Sequence, residues 1–495
     1  MFDTSRQSGV LMHISSLPGP FGVGVLGKEA LDFIDLISQL GFKVWQILPL
    51  NPIDEFYSPY KSSSAFAGNY IYIDPRSLKG MGLVTQDEID ICLCQSDESK
   101  ANYEFAYEKR LALLRIAYSR VTDTLKISID EFSAQNQWVE PYALYCALKD
   151  YNNGEPWWKW DFGFDDYEFC KRQHNKFLQQ INFYKFVQYI FFTQWIVVKS
   201  YANSKGIKIM GDMPFYVSMD SADVWSNTYC FQIDENTYKP VGVSGVPPDY
   251  FSSDGQLWGN PLYNWQVLED EGYSWWLSRI AFLKQNLDIV RIDHFRAFSS
   301  YWSVDPESET ARNGKWEKGP GEKFINILNN LYPDISLVAE DLGDIDNDVR
   351  TLLKSCNIPG MRVLQFGFED MNDSIHLVHN YPTDCIAYIG THDSNTFVGF
   401  INELSPEKRQ YTFDYIGYCR GEYSSNACHC AIETLWRSSA ALTIVTVQDM
   451  LGLYSESRMN TPGKTQGNWL FRITQDELNS IDRNYFIKLN NLFRR

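Results

Sequence analysis

Four acidic positions stand where runs of strand-forming residues end, and they are the part of this chain whose types and spacing can do chemistry. Asp212 follows Ile207-Lys-Ile-Met-Gly211, Asp293 follows Asp288-Ile-Val-Arg-Ile292, Glu340-Asp341 follows Ser336-Leu-Val-Ala339, and His392-Asp393 follows Ile386-Ala-Tyr-Ile-Gly390 by one residue. With a strand period of two, Ile289, Arg291 and Asp293 share one face while Asp288, Val290 and Ile292 share the other. Carboxylates gathered on one face repel and raise one another's pKa, so such a cluster is kept for a task. Two tasks compete. A metal site wants His and carboxylates together, whereas glycoside chemistry wants two carboxylates flanking a sugar bond and several polar groups for its hydroxyls. Arg291, on the face of Asp293, favours the ionised form of that carboxyl, as a nucleophile requires.

The elements that must hold these groups alternate. Strands are expected at Gly9–Ile14, Val44–Leu48, Ile207–Gly211, Asp288–Ile292, Ser336–Glu340, Arg362–Phe366, Ile386–Gly390 and Leu442–Val447. Helical spacing of apolar residues runs over Lys28–Leu40, Ile181–Ser204, Tyr273–Lys284, Phe324–Leu331, Asp346–Lys354 and Cys430–Leu442. Eight strands separated by helices are the count of a (β/α)8 TIM barrel, an α/β fold whose active site lies at the C-terminal strand ends. The chain is expected to form a single barrel domain over 1–495, with large insertions after strands 2 and 3. Residues 51–180, which include the helical pattern Tyr103–Arg120, form the first, with Trp157, Trp158 and Trp160 as part of its core. Residues 213–265 form the second. Their Gly and Pro density at Gly242–Phe251 and Gly255–Pro261 specifies a loop with no helix or strand period, exposing Tyr250, Phe251 and Trp258 at its tip beside the cleft.

Composition narrows the partners. Lys and Arg number 44 against 62 Asp and Glu, a net charge of 44 − 62 = −18, and no long basic run occurs, so neither nucleic acid nor an anionic membrane is an expected partner. The least interrupted apolar run, Phe183–Val198, is broken by Tyr, Lys, Gln and Thr and is no membrane span. The first residues show no basic start followed by an apolar segment, and a cytoplasmic location is expected. Ten scattered cysteines, with Cys92/Cys94 and Cys428/Cys430 as the close pairs, lack zinc-site spacing and read as ordinary thiols. Neither a metal nor another cofactor is expected.

Several strings resemble the 4-alpha-glucanotransferases, also called amylomaltases or disproportionating enzymes: Arg291-Ile-Asp-His-Phe-Arg296, Ala339-Glu-Asp-Leu-Gly343, Gly390-Thr-His-Asp393 and Gly245-Val-Pro-Pro-Asp-Tyr-Phe251. The likeness runs from Ser16–Gly24 through Ser58-Pro-Tyr60 and Ser64–Asn69 to Met459–Gly463 and Gly467-Asn-Trp469. It implies transfer of α-1,4-glucan segments by a retaining double displacement, with glucans and maltooligosaccharides as substrates and glucose among the acceptors. It implies Asp293 as nucleophile, Glu340 as acid and base, and Asp393 as the stabiliser of the transition state. The substrate-binding positions it implies are Tyr60, Asp212, Asp249, Tyr250, Phe251, Trp258, Arg291, His392 and Asn460. The chain departs from the family pattern at Lys61–Ser64, Tyr70, Tyr454 and Ser457, none of them a catalytic carboxylate. A hydrolase of the same clan and a non-catalytic glucan-binding protein are the alternatives; the intact carboxylates argue against the second. Oligomeric state is left open.

Overall fold

Short β-branched runs alternating with amphipathic helices close into a barrel whose C-terminal rim carries the acidic residues. The computed structural model describes residues 2–161, 163–248, 253–343, 345–418 and 425–495, and the structural statements below concern these. Twelve strands occur among them: β1 (Gln7–Leu11), β2 (Val44–Gln46), β3 (Lys208–Met213), β4 (Val243–Val246), β5 (Gln256–Pro261), β6 (Ile289–Ile292), β7 (Ser300–Val304), β8 (Lys315–Lys318), β9 (Leu337–Ala339), β10 (Met361–Val363), β11 (Ile386–Tyr388) and β12 (Leu442–Thr446). Eight of them form one parallel sheet in the order β10-β11-β12-β1-β2-β3-β6-β9, the expected barrel. The seam between β9 and β10 is bridged by the Ala339 N–H donating to the Pro359 carbonyl at 2.9 Å. The Asp341 carboxylate adds to it, accepting from the Met361 N–H at 2.5 Å and from Arg362 at 3.3 Å. Asp341 therefore serves closure, while its neighbour Glu340 faces the cleft.

Strand periodicity sorts the core into two parts. Leu11, Val44, Met210, Ile289, Val338 and Ile444 fill the barrel interior. Val10, Trp45, Ile209, Val290, Ile292 and Val445 face outward and are buried beneath the surrounding helices. The helix Lys28–Gln39 shows how: Ala30, Phe33, Ile34 and Ile37, three and four residues apart, are its buried stripe. The interval between β2 and β3 holds the helices Tyr103–Tyr118, Asp123–Gln135 and Val139–Tyr151 and the long helix Leu178–Ser204. Its aromatic core is continuous with the barrel layer, Phe66 and Phe192 both packing edge-on against Phe282. Trp157 and Trp160 are buried with their indole N–H groups donating to the carbonyls of Met219 and Glu155. Trp158 corrects the expectation of a three-tryptophan core: it is 37% exposed, because the single 3-10 turn Trp157–Lys159 points successive side chains apart.

Two further expectations are corrected. The stretch from Gly242 is no plain loop, since β4 and β5 pair antiparallel within a second sheet of order β5-β4-β7-β8. Glycine serves close approach there: a Cβ on Gly245 would stand 2.6 Å from the Gln256 carbonyl oxygen. The partner that turns this segment into a strand is β7, nearly sixty residues on, which a local reading of Gly and Pro content does not see. Asp212, expected after the third strand, lies inside β3, in register with Arg291 of β6.

Seam closure can be tested by substitution. A Cβ on Gly360 would lie 2.3 Å from Asp341 Oδ2, so Gly360→Ala must displace the carboxylate that accepts from Met361. Urea denaturation should show it destabilised by about 1–3 kcal/mol. Gly80→Ala, at a helical position with open space around it, should be neutral or slightly stabilising.

Candidate active site

Backbone hydrogen bonds lock the acidic strand ends to one another. The Asp293 N–H donates to the Met213 carbonyl at 3.0 Å, the Glu340 N–H to the Ile292 carbonyl at 2.9 Å, and the Phe295 N–H back to the Glu340 carbonyl at 3.3 Å. After Asp293 the chain turns through His294 in the left-handed region, φ 50° and ψ 45°. That turn aims the His294 N–H at Glu340 Oε2, 2.9 Å away, and the Leu342 N–H reaches Oε1 at 2.9 Å. Both oxygens of Glu340 are thus oriented by backbone, which holds the carboxyl without a mobile side-chain partner.

Below this pair sits a buried charge ladder. Arg291 Nη1 lies 2.6 Å from each carboxylate oxygen of Asp212 and 3.1 Å from Asp293 Oδ1. Asp212 also accepts from the Tyr60 hydroxyl at 2.8 Å, and that hydroxyl lies 2.8 Å from His392 Nε2. The rings of Tyr60 and His392 stack, with centroids 5.3 Å apart. His392 Nε2 is 3.3 Å from Asp393 Oδ2, and Asn460 Nδ2 donates to Asp393 Oδ1 at 2.7 Å. Arg458 fixes this corner through the carbonyls of Asp393 and Asn460, at 2.7 and 2.6 Å.

The cleft has two limbs that meet over Asp293. A cavity of about 360 Å³ is lined by Tyr60, Tyr216, Trp258, Asp293, His294, Asp393 and Asn460. A larger one of about 800 Å³ is lined by Pro247, Pro248, Arg291, Asp293, Trp316, Glu340, Phe366, Glu369, Asp393, Glu403 and Arg458. Glu340 lines the larger limb and not the smaller. Trp258 stands edge-on to His294, ring centroids 4.8 Å apart, as one wall of the smaller limb.

The environments push the carboxyls apart. Burial raises Glu340 to about 7, helped by the Asp293 charge and opposed by Arg291. Burial also raises Asp293, to about 6, with the Asp212 and Asp393 carboxylates adding to the rise and Arg291 and His392 restraining it. Arg291 does favour the ionised Asp293, as its position on the strand suggested, but burial outweighs it. Asp293 keeps 30% of its side chain exposed, toward the cleft it lines. Burial pushes Asp393 up as well, yet His392 and the Asn460 amide hold it well below the usual carboxylate range. For His392 burial works against charge, but the Asp393 carboxylate raises it. Burial lowers His294 to about 3, so its imidazole is neutral.

The positions singled out in the sequence fall into three groups. Tyr60, Trp258, Arg291, Asp293, Glu340, Asp393 and Asn460 line one limb or both. Asp212 and His392 line neither limb: the Asp212 side chain has no exposed surface and that of His392 has 2%. Packing against Arg291 and Tyr60 places them beneath the floor. Asp249, Tyr250 and Phe251 lie outside the described residues. Residues the sequence reading passed over include Gln256 and His294, which line both limbs, and Arg458, Trp316, Glu369 and Glu403. Arg458 directly precedes the quoted Met459-Asn460 string, and His294 lies inside the motif around Asp293; the others had no local signal.

Among the described residues no three His, Cys, Asp or Glu side chains gather as a metal-holding group. The place between Asp212 and Asp293 where a cation belongs is filled by the Arg291 guanidinium.

Fold and site together define a (β/α)8 protein with Asp293, Glu340 and Asp393 lining one cleft at the barrel rim, the class that acts on glycosidic bonds. Residues 12–477 match the family model described as 4-alpha-glucanotransferase, and the chain belongs to that family. A 4-alpha-glucanotransferase of Aquifex aeolicus is 41% identical over 95% of this chain and 96% of its own length. One of Streptococcus pneumoniae is 39% identical, over 99% and 97%. The solved amylomaltase from Streptococcus agalactiae in complex with acarbose superposes with a TM-score of 0.96 at 35% identity, covering 99% of this chain and 100% of that one.

Removing the central cation tests the ladder. Arg291→Ala leaves Asp212 and Asp293 facing each other unpaired, which should cost about 3–5 kcal/mol in urea unfolding at pH 8. Without the guanidinium the folded-state pKa of Asp293 rises further above its unfolded value. The loss should therefore shrink as pH falls from above about 6 toward 5, where the Asp293 carboxyl takes up a proton. A loss independent of pH would refute this account.

Proposed function

We propose that this protein transfers segments of α-1,4-glucan from a donor chain to glucose or a maltooligosaccharide acceptor, with retention at the anomeric carbon. The observation that carries the reading is the meeting of the two cleft limbs over Asp293, with Glu340 on the larger side. A donor chain lies across both limbs, the glycosyl part to be transferred in the smaller one. Asp293 attacks the anomeric carbon as Glu340 gives its proton to the departing O4, so the C1–O4 bond breaks and a C1–Oδ ester forms. The leaving chain vacates the larger limb. An acceptor enters it, its O4–H proton passes to Glu340, the new C1–O4 bond forms, and Asp293 leaves as carboxylate. One α-1,4 bond is exchanged for another, so the reaction needs no external source of energy or electrons and no cofactor.

The remaining residues act on charge and position. Asp393, held ionised and aimed by Asn460, faces the smaller limb, where it can accept from sugar hydroxyls and stabilise the oxocarbenium-like transition state. Tyr60 and Trp258 offer aromatic faces to the bound glycosyl unit. Arg291 holds Asp293 in place from below. Glu340, protonated to about 7, is the acid, and Asp293, ionised above about 6, is the nucleophile. Transfer outcompetes hydrolysis when the acceptor fills the site better than water. A second limb of about 800 Å³, walled by Pro247, Pro248, Phe366 and Phe400, supports a sugar acceptor over a lone water. We place the activity in the cytoplasm and in carbohydrate metabolism. The nine described cysteines are free, which suits a reducing compartment, and no helix among the described residues is long and apolar enough to cross a membrane.

Purified protein incubated with maltotriose should yield glucose and a ladder of longer maltooligosaccharides by chromatography, and Asp293→Asn should abolish both. Glucose and maltose with no longer chains would convert the reading to hydrolysis. The pH dependence of kcat/KM follows from the pair. Rate should rise as Asp293 ionises through about 6 and fall as Glu340 deprotonates above about 7, giving a bell whose limbs belong to the coupled pair. With α-glucosyl fluoride as donor, whose leaving group needs no proton, Glu340→Gln should retain formation of the glycosyl-enzyme and lose the alkaline limb.

A further inference from the structure

The larger limb of the cleft contains an aromatic residue that the reaction as described does not use. Trp316 lies on β8, directly across from Trp302 of β7, the two rings edge-on with centroids 5.1 Å apart. Trp302 is tied down by its indole N–H, which donates to the Ala311 carbonyl at 2.8 Å. Trp316 is 40% exposed and lines the same cavity as Glu340. A partly exposed indole in the wall of the cavity that holds Glu340 offers an apolar surface on which a sugar can stack.

Its setting is rigid. The Arg296 guanidinium stacks over the ring, 3.9 Å from the centroid, and its Nη2 lies 3.4 Å from both Ser300 Oγ and Asp346 Oδ2. Arg296 belongs to the 3-10 turn Phe295–Phe298 that follows the nucleophile turn, so the ring is referenced to Asp293 through three residues of chain. One face of Trp316 is thus capped by a cation, Trp302 packs beside it, and the part of the residue left exposed lines the cavity. An indole held in this way suits the apolar C–H face of a pyranose. The ring is already ordered, so little entropy is lost when the sugar lands on it.

We propose that Trp316, clamped by Arg296, is a stacking platform for an acceptor glucosyl unit beyond the one that reacts, and that it sets preference for oligosaccharide over glucose as acceptor. The assignment rests on reading the larger limb as the acceptor side. Glu340 and Trp316 line the same cavity from different sheets, and the preference requires that a single glucose at the reacting position stop short of the platform and that a maltotriose extend onto it.

The test measures transfer from amylose to radiolabelled glucose or radiolabelled maltotriose with wild-type protein, Trp316→Ala and Trp316→Phe, each variant first shown to melt near the wild-type temperature. Trp316→Ala should raise the acceptor KM for maltotriose about tenfold while that for glucose moves less than about twofold, the loss expected for one stacked ring. Trp316→Phe, which restores a flat ring, should recover most of the difference. Equal losses with both acceptors, or none with either, would overturn the platform while leaving transfer in place. Wild-type protein that releases sugar only to water would overturn the acceptor reading of the limb, and this assignment with it.

Discussion

A guanidinium enclosed in the barrel, that of Arg291, is the interaction on which the site depends. An unpaired cation there would cost several kcal/mol, so the strand that carries Arg291 is satisfied only in register with the strand that carries Asp212. That register also sets Asp293 at the strand end within 3.1 Å of the same nitrogen. Neighbouring backbone bonds then place Glu340 beside it. One cation against two carboxylates leaves a negative charge unbalanced at the cleft floor. Tyr60 and His392 link this group to Asp393, a further carboxylate, through hydrogen bonds and an imidazole contact.

This arrangement gives three carboxyls that line one cleft different protonation behaviour. Among the described residues Glu340 has no side-chain cation in contact and accepts from two backbone N–H groups, so burial dominates and its proton stays to about 7. Asp393 has an imidazole and an amide at its two oxygens and stays ionised. Asp293 lies between, raised to about 6 by burial and restrained by Arg291 and His392. The partners around each carboxyl thus separate Glu340 from Asp393, which is how one cleft can hold protonated and ionised forms at one pH.

Much of this was legible in the sequence because strand period is local. That Arg291 and Asp293 share a face, and that Glu340 and Asp393 arrive at the same rim, follows from counting along single strands and from the barrel rule. What a strand pairs with is not local. Asp212 read as one more rim carboxylate because nothing near it in the chain announces Arg291, and the Gly245 segment read as loop because β7 lies far downstream. The same blindness applied to burial: proximity of Arg291 argued for a lowered Asp293, and only the closed cleft floor shows desolvation prevailing. Trp316, on a strand whose residues alternate without a strong apolar signal, offered no clue beyond being a tryptophan.

The second sheet explains why the two limbs differ in kind. The chain leaves β6 at Asp293, reverses through the left-handed His294, packs Phe295 and Phe298 into the core, and enters β7 without further connection. The antiparallel wall is therefore anchored at Asp293 itself, and β4, β5 and β8 inherit that anchoring through their pairing. β5 contributes Trp258 to the smaller limb, while β8 contributes Trp316 to the larger. Because Asp293 and Asp393 line both limbs while Glu340 faces only the larger and Asn460 only the smaller, the two limbs present different groups on either side of Asp293. That difference is a property of the fold, set by which side of one strand end each wall is built on.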